Sequence, residues 1–439
     1  MRLGALVSQV RQEALGLRHN RFARNVASVG LGIAAAQAIS LLFAPFLTRL
    51  YGPVAFGVLG AYSAVVNIIS PLATLGYSNA IVIPENDERA LGVARLSMAS
   101  ALVVSPAALL VVHLFLPQIA QWTGLEASPE FLYLIPVSLV LSALYAVASQ
   151  GAIREGLFTP KSQAYVGATL GINGLKLGGG AITGTGLMLI AIEVAGRGLY
   201  ALSLLARVPR RGVLRVREWF KLGGIRQAAW DHRDFSLYRM PQSVINASSM
   251  GLPVILLSSL FGSSEAGQYA LTVLVLSAPV MLLGQSIGEV FYPKVTRAIQ
   301  TPGINARTLI TKATLGLAMV GSIPFGIIAL FGDRLFPLAF GDEWVRAGEY
   351  AQWIALWMAA TLASRASVQA MPALQIQHLL LVYEIGITIS RVAALYVGAA
   401  VLESDLAAVA IFSVINVVGY AVLVLWTWTR AGAPARPNR

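Results

Sequence analysis

The sequence predicts an all-α polytopic membrane protein with about 12 transmembrane helices, in two parallel six-helix halves around a central cavity. Three observations carry that prediction. The chain is 56% hydrophobic and only 12% charged, whereas soluble proteins carry roughly 25% charged residues. Apolar runs of about 20 residues, enough to cross a hydrocarbon core about 30 Å thick, recur through all 439 residues. A short motif also returns at the same place in each half. The composition excludes a soluble enzyme, a disordered chain and a peripheral protein held by one anchor. The continuity of the runs excludes an outer-membrane barrel, whose strands alternate apolar and polar positions.

Residues 1–25 contain no uninterrupted apolar core, so they are not read as a cleaved signal peptide. Leu3, Val7, Val10, Ala14 and Leu17 recur at helical spacing with Arg2, Arg11, Gln12 and Arg18 between them. That pattern predicts an amphipathic helix on the cytoplasmic surface. Six spans follow in an N-terminal half, 26–206, over 26–49, 56–83, 91–116, 131–150, 164–182 and 185–206. A cytoplasmic linker, 207–237, separates them from a C-terminal half, 238–429. There the spans are 238–261, 266–292, 308–331, 350–372, 379–402 and 406–429, followed by a cytoplasmic tail, 430–439. Within span five, Gly167, Gly171, Gly174 and Gly178 form a small-residue stripe that lets another helix approach. Pro45, Pro71, Pro106, Pro136, Pro253, Pro279 and Pro324 permit kinks.

The basic residues orient the chain. One side collects 24 of them: Arg2, Arg11, Arg18, Arg21 and Arg24, then Arg89, Arg95, Arg154 and Lys161, eight from Arg207 to Arg233, then Lys294, Arg297, Arg307, Lys312, Arg430, Arg436 and Arg439. The other side has 3, Arg49, Arg334 and Arg346. By the positive-inside rule both termini face the cytoplasm, and the net charge of +12 reflects loops facing anionic lipid rather than nucleic acid. The connections on the less basic side are short, the longest near 332–349, and leave no room for a soluble catalytic module.

The repeat is Leu50-Tyr51-Gly52-Pro53-Val54-Ala55-Phe56-Gly57, returning as Leu260-Phe261-Gly262-Ser263-Ser264-Glu265-Ala266-Gly267. Both copies follow the first span of a half, as parallel repeats about an axis along the membrane normal require. The run LTRLYGPVAFGVLGAYSAVVNIISPLATLGYSNAIVIPENDERA (residues 47–90) resembles the start of Wzx-like polysaccharide and O-antigen flippases of the multidrug/oligosaccharidyl-lipid/polysaccharide exporter superfamily. LFGDRLFPLAFGDEWVRAGEYAQWIALW (330–357) is similar to that family's element between the ninth and tenth spans. The resemblance implies export of an isoprenoid-diphosphate-linked oligosaccharide, a repeat unit of O-antigen, lipopolysaccharide, capsule or exopolysaccharide, across a bacterial inner membrane. A polysaccharide polymerase and glycosyltransferases would act on the same lipid-linked sugar.

Charges inside spans cost roughly 2.5–3.5 kcal/mol each at a helix centre, so they mark wet cavities or pairs. Lys176, Glu193, Arg197, Arg365, Glu384 and Arg391 are such residues. Glu193 and Arg197 stand four apart, the favourable helical pairing, and Glu384 can pair with Arg365 or Arg391. The surplus of bases predicts a cationic lumen lined by Lys176, Arg365 and Arg391, suited to a diphosphate. Arg24 and Arg239 open the first span of each half, where a headgroup would arrive or where ordinary anchoring would place them. Arg49, on the other side, either snorkels or gates an exit. Glu193 and Glu384 are the candidates for coupling to a proton or sodium gradient, because a buried carboxylate exchanges protons.

Other chemistry finds no motif. With no cysteine, thiol catalysis and thiolate metal sites are excluded. No G-K-[ST] occurs, so no nucleotide loop is read and no cofactor is expected. His19, His113, His232 and His378 have no ligand spacing. Gly284-Gln285-Ser286-Ile287-Gly288 mimics a hydrolase elbow, and Asn246-Ala247-Ser248 a glycosylation sequon, but both fall inside spans. Two alternatives to a flippase stay open: a drug or metabolite exporter of the same fold, which would ask for an acidic cavity, and a membrane glycosyltransferase or polymerase, which would need a large outer loop.

Overall fold

The helices of the chain, seen in a computed structural model, follow the predicted spans in order. The structure describes residues 21–300, 305–374 and 377–431, with side chains throughout except at 21–27, 283–290, 292–293, 300 and 377–382. The helices are α1 (Arg21–Leu50), α2 (Pro53–Ala73), α3 (Asp87–Leu114), the short α4 (Leu116–Thr123), α5 (Leu134–Arg154), α6 (Phe158–Ile182), α7 (Gly186–Leu205), the short α8 (Ile225–Asp231), α9 (Met240–Phe261), α10 (Ser263–Gln300), α11 (Ala306–Phe340), α12 (Val345–Ala370), α13 (Gln377–Ala400) and α14 (Asp405–Ala431). Leaving out the two short helices gives twelve among the described residues, six in each half. Among the described residues, nine helical segments are long and apolar enough to cross a membrane by length and composition. Of the remaining three helices, α6 is diluted by glycines and Lys176, and α12 is the most enclosed element of the C-terminal half. The predicted amphipathic segment 1–20 lies outside the described residues.

Local chemistry sets the helix ends. Asn86 caps α3 by accepting from the Arg89 amide at 2.8 Å, with Asp87 and Glu88 in the first turn, where carboxylates offset the helix dipole. Pro53 starts α2, since its missing N–H is one the first turn cannot use. Span two departs from its predicted range of 56–83. The helix stops at Ala73, and Leu75 and Gly76, at φ 48° and 76°, turn the chain into a 3₁₀ segment, Tyr77–Val82. Tyr77, Ala80 and Ile81 stay buried after the turn, which is why the apolar run read as one helix. The connection predicted near 332–349 shrinks to residues 341–344, because α11 continues through Asp333 and Arg334 to Phe340. The glycine stripe of α6 behaves differently from its expectation as well. A Cβ at Gly171 would stand 3.2 Å from Leu199 of α7, but one at Gly174 or Gly178 would meet nothing within 4 Å, and the closest approaches are made by Gly179 to α7 and Gly180 to Tyr51.

The linker 207–237 is packed, not loose. Trp219 is 1% exposed and donates its indole N–H to the Val213 carbonyl at 2.6 Å. Arg95, counted above among loop residues, is buried in α3 and donates to the Glu218 and Gly223 carbonyls at 3.1 and 3.0 Å. It also pairs with the Glu88 and Glu218 carboxylates at 2.6 and 3.2 Å. A hydrogen bond from Lys221, with Arg95 behind it, holds the Glu218 carboxyl below the usual carboxylate range. A lowered folded-state value stabilises the docked strap above that range, and the contribution fades as pH falls through the lowered value.

The two halves meet most tightly at the end opposite the linker. Here α2 and α10 cross backbone to backbone. A Cβ on Gly57 would stand 1.6 Å from the Ser263 carbonyl oxygen and 2.9 Å from the Gly267 nitrogen. A Cβ on Gly267 would stand 1.9 Å from the Pro53 carbonyl oxygen and 2.8 Å from the Gly57 nitrogen. Residues 53 and 57 correspond to 263 and 267 in the sequence repeat, so the contact is reciprocal, as a twofold axis between two copies demands. The 341–344 turn covers it. Trp344 donates to the Thr48 carbonyl at 3.3 Å, Thr48 donates to the Phe340 carbonyl at 3.0 Å, and the Trp344 ring meets Phe56 edge-on at 5.3 Å. Only glycine lets two backbones come this close.

Replacing Gly57 by alanine should therefore push α2 off α10. Hydrogen exchange should show faster exchange of the backbone amides of residues 260–268, with those of α5 unchanged. Unchanged protection at 260–268 would mean the crossing does not depend on the missing side chain.

Candidate functional site

Toward the linker end, α2 and α5 of one half and the start of α9 of the other enclose a cavity of 290 Å³. Its polar lining includes Asn67, Ser70, Thr74, Asn79, Ser142 and Ser243, with no charged side chain among the described residues. The turn at Gly76 positions this wall. It needs a left-handed residue, and a Cβ there would stand 2.8 Å from the Phe235 carbonyl oxygen and 3.2 Å from Met240. The turn thus leans on the end of the linker, which here forms a single π-helical turn, Phe235–Arg239.

Behind the inner wall of the cavity sits the ion cluster of the N-terminal half. Lys176 from α6 binds the Glu193 carboxylate at 3.0 Å, and Arg197, one turn on along α7, lies 4.0 Å from the same group. The sequence pairing of Glu193 with Arg197 is therefore the longer of two, because the Lys176 stem reaches across from the neighbouring helix. Arg197 spends its other donors on the cavity wall, giving hydrogen bonds to Ser142 at 3.0 Å and Asn67 at 3.1 Å. Its Nε is buried without a partner.

The C-terminal half handles its charge differently. Arg391 is 7% exposed. Its Nε donates to the Asn416 side-chain oxygen at 2.8 Å, its two terminal nitrogens contact Asn416 and Ser249, and the guanidinium lies 5.9 Å from the Phe412 ring. Three helices, α9, α13 and α14, are pinned by one cation held in neutral acceptors. Glu384 does not pair with Arg391 or Arg365. Among the described residues its side chain has no ion-pair partner, and its backbone carbonyl accepts from Thr388 at 2.6 Å. Arg365 is half-buried in α12 with Nε unpartnered.

The expected cationic lumen of Lys176, Arg365 and Arg391 is thus not one assembled lining. Lys176 is tied to Glu193, and Arg391 is enclosed within its own half. Arg49 is exposed and donates to the Pro45 carbonyl of its own helix at 3.1 Å. Arg239 is exposed and bonded to Gln242 at 3.1 Å. The backbone of Arg24 lies in α1, and its side chain is outside the described residues. Sequence reasoning missed Asn67, Ser142, Ser249 and Asn416, because an uncharged side chain in a span gives no cost signal. The Arg346 cluster at the sealed end was missed too. Its Nε donates to Asp405 at 2.7 Å, further bonds reach Asp405 and Glu349, and Tyr350 donates to Asp405 at 2.5 Å.

Comparison with known proteins places this architecture. A family model described as polysaccharide biosynthesis protein matches residues 46–349, from the first copy of the repeat into α12. The chain belongs to that family. It is 22% identical over 335 residues to the succinoglycan biosynthesis transport protein ExoT of Rhizobium meliloti (strain 1021), covering 74% of this chain and 63% of that one. The chain thus spans under two thirds of that curated relative. Its fold matches the lipid II flippase MurJ in an inward closed conformation at a TM-score of 0.72, with 10% identity, 90% of this chain and 86% of the other. An inward-facing multidrug resistance MATE transporter of the MOP superfamily matches at 0.70, with 14% identity over 93% and 97%. An outward-facing structure of the MATE family scores 0.59, with 16% identity over 94% and 97%. The chain therefore combines membership of the polysaccharide biosynthesis family with the fold of those solved structures and, among the described residues, many helices long and apolar enough to cross a membrane.

The Arg391 cage can be tested by a double-mutant cycle. Asn416→Leu leaves a buried guanidinium short of its main acceptor and should destabilise the detergent-solubilised protein by about 3–5 kcal/mol. Arg391→Met with Asn416→Leu removes both partners and should recover most of that loss. Thermal unfolding of the four proteins reads the coupling, and additive losses would show that the two side chains do not act together.

Proposed function

We propose that the protein flips an isoprenoid-diphosphate-linked oligosaccharide from the cytoplasmic to the periplasmic leaflet of a bacterial inner membrane by alternating access. The observation that carries the reading is the asymmetry of the interface between halves. It is closed backbone to backbone at Gly57 and Gly267, and holds a polar cavity toward the other end. The family supports the same reading, since its relative ExoT is by name a succinoglycan transport protein.

The linker end is the cytoplasmic one in this account. It carries Arg154, the basic residues from Arg207 to Arg233, Lys294, Arg297 and Arg307, and the ends of α1 and α14 that lead to the termini. The opposite end has Arg49, Arg334 and Arg346, the last paired with Asp405 and Glu349. Sugar would pass between the halves while the lipid tail stays in the bilayer. A polymerase and glycosyltransferases would act before and after that step. Of the two coupling candidates, Glu193 is held by two cations as a fixed counter-charge. Glu384 has no ion-pair partner among the described residues, and we assign it the exchange of a proton or sodium ion.

The sidedness of the lipid-linked sugar tests this function. Spheroplasts lacking the protein should accumulate lipid-linked oligosaccharide protected from a membrane-impermeant glycosidase, and wild type should return it to the accessible leaflet. Normal sidedness with long polymer missing would instead indicate a polymerase. Glu384→Gln should restore sidedness slowly and without response to collapse of the ion gradient. A full, gradient-sensitive rate in that variant would remove Glu384 from the mechanism.

A further inference from the structure

We propose that the cavity between α2, α5 and α9 is a subsite for the uncharged, hydroxyl-bearing ring of a sugar, and that the diphosphate binds elsewhere; the inference rests on the flippase reading. Among the described residues its lining is uncharged, with amides and hydroxyls contributed by Asn67, Ser70, Thr74, Asn79, Ser142 and Ser243. Sugar hydroxyls both donate and accept, and such side chains satisfy both roles. Three of them are free to do so. Asn67 accepts from Arg197 through its oxygen, which leaves its amide N–H groups for a ligand. Ser142 accepts from Arg197, which leaves its hydroxyl proton. Ser70 has no hydrogen bond among the described residues. A cation donating into an amide and a hydroxyl polarises both and strengthens their remaining donors.

The same geometry argues against a diphosphate in this cavity. Phosphate is gripped by guanidinium or ammonium donors that point at it. Here the terminal nitrogens of Arg197 serve Ser142 and Asn67, and Lys176 serves Glu193. An anion placed among the lining groups would lose water without gaining a free cation. The volume of 290 Å³ lies at the lower edge of ligand clefts, about 300–1,000 Å³, and suits a ring rather than a long chain. Arg197 is a positioning residue on this account, and Asn67, Ser70 and Ser142 are the ligand contacts.

The chain contains no cysteine, so single thiols can be placed without removing any. Ser70→Cys and Ser142→Cys are reconstituted separately in lipid nanodiscs and reacted with a charged methanethiosulfonate reagent. The probes are undecaprenyl diphosphate and undecaprenyl diphosphate–glucose, each also tritiated to measure binding. At about ten times its dissociation constant, the glucosyl lipid should slow labelling of both thiols about tenfold by simple occupancy, and undecaprenyl diphosphate should leave the rate unchanged. Equal protection by the two lipids would overturn the proposal, since the diphosphate would then fill the cavity. Binding of tritiated glucosyl lipid without protection of either thiol would overturn it too, while leaving the flippase reading intact. Failure of both tritiated lipids to bind would defeat the flippase reading and the subsite with it.

Discussion

The crossing of α2 over α10 depends on two hydrogen atoms. Gly57 and Gly267 each present one where any other residue carries a Cβ, and each would otherwise strike the carbonyl of the partner helix, at Ser263 or Pro53. Because the two glycines are copies of one position in a duplicated segment, the contact fixes the twofold relation of the halves. Everything else at that end follows. The 341–344 turn drops Trp344 into the notch beside Phe56 and Thr48, and Gln268 ties α10 to the same turn through the Glu343 carbonyl and the Ala347 amide. A joint built from backbone contact and neutral hydrogen bonds, with no ion pair across it among the described residues, comes apart without exposing a lone charge. That suits a gate between rigid halves.

The intramembrane charges show a second rule. Each is costly alone, and the two halves solve the cost differently. In the N-terminal half a carboxylate is shared between Lys176 and Arg197, and the surplus cation is absorbed by Asn67 and Ser142. In the C-terminal half Arg391 has no carboxylate within ion-pair distance among the described residues and is held by Asn416 and Ser249. In both cases the cation turns neutral side chains into fixed, polarised donors and joins three helices. Arg197 does this on a cavity wall and Arg391 within the body of its half, so the same chemistry shapes a cavity lining in one place and joins helices in the other.

The helices were legible because lipid leaves the backbone no alternative to hydrogen bonding within each span, and each apolar run therefore reports its own element. The repeat was legible for the same reason that it matters, since two glycines at equivalent positions can be seen without knowing that they touch. What stayed hidden involved direction. Hydropathy could not show that the run 56–83 turns at Leu75 and Gly76, because the 3₁₀ segment beyond is as buried as the helix before it. Composition marked 207–237 as a polar linker and could not show that Trp219 and Arg95 hold it folded against α3. Charge counting found Lys176, Glu193, Arg197 and Arg391 but assigned their partners within one helix or toward a common lumen. Beyond Glu193, which Lys176 reaches from the neighbouring helix and Arg197 from its own, the partners of these cations are Asn67, Ser142, Ser249 and Asn416, amides and hydroxyls on other helices that carry no charge to count.

The central claim is that the two ends of the interface between halves open in alternation. Pulsed electron spin resonance on nanodisc-reconstituted protein measures it directly. One label pair at Val54 and Leu402 reads the sealed end, and another at Glu85 and Tyr238 reads the linker end. Turnover with undecaprenyl diphosphate-linked oligosaccharide and an ion gradient should lengthen the first distance as it shortens the second. Distances that stay fixed, or that lengthen together, would contradict alternating access and leave the Gly57–Gly267 crossing a permanent joint.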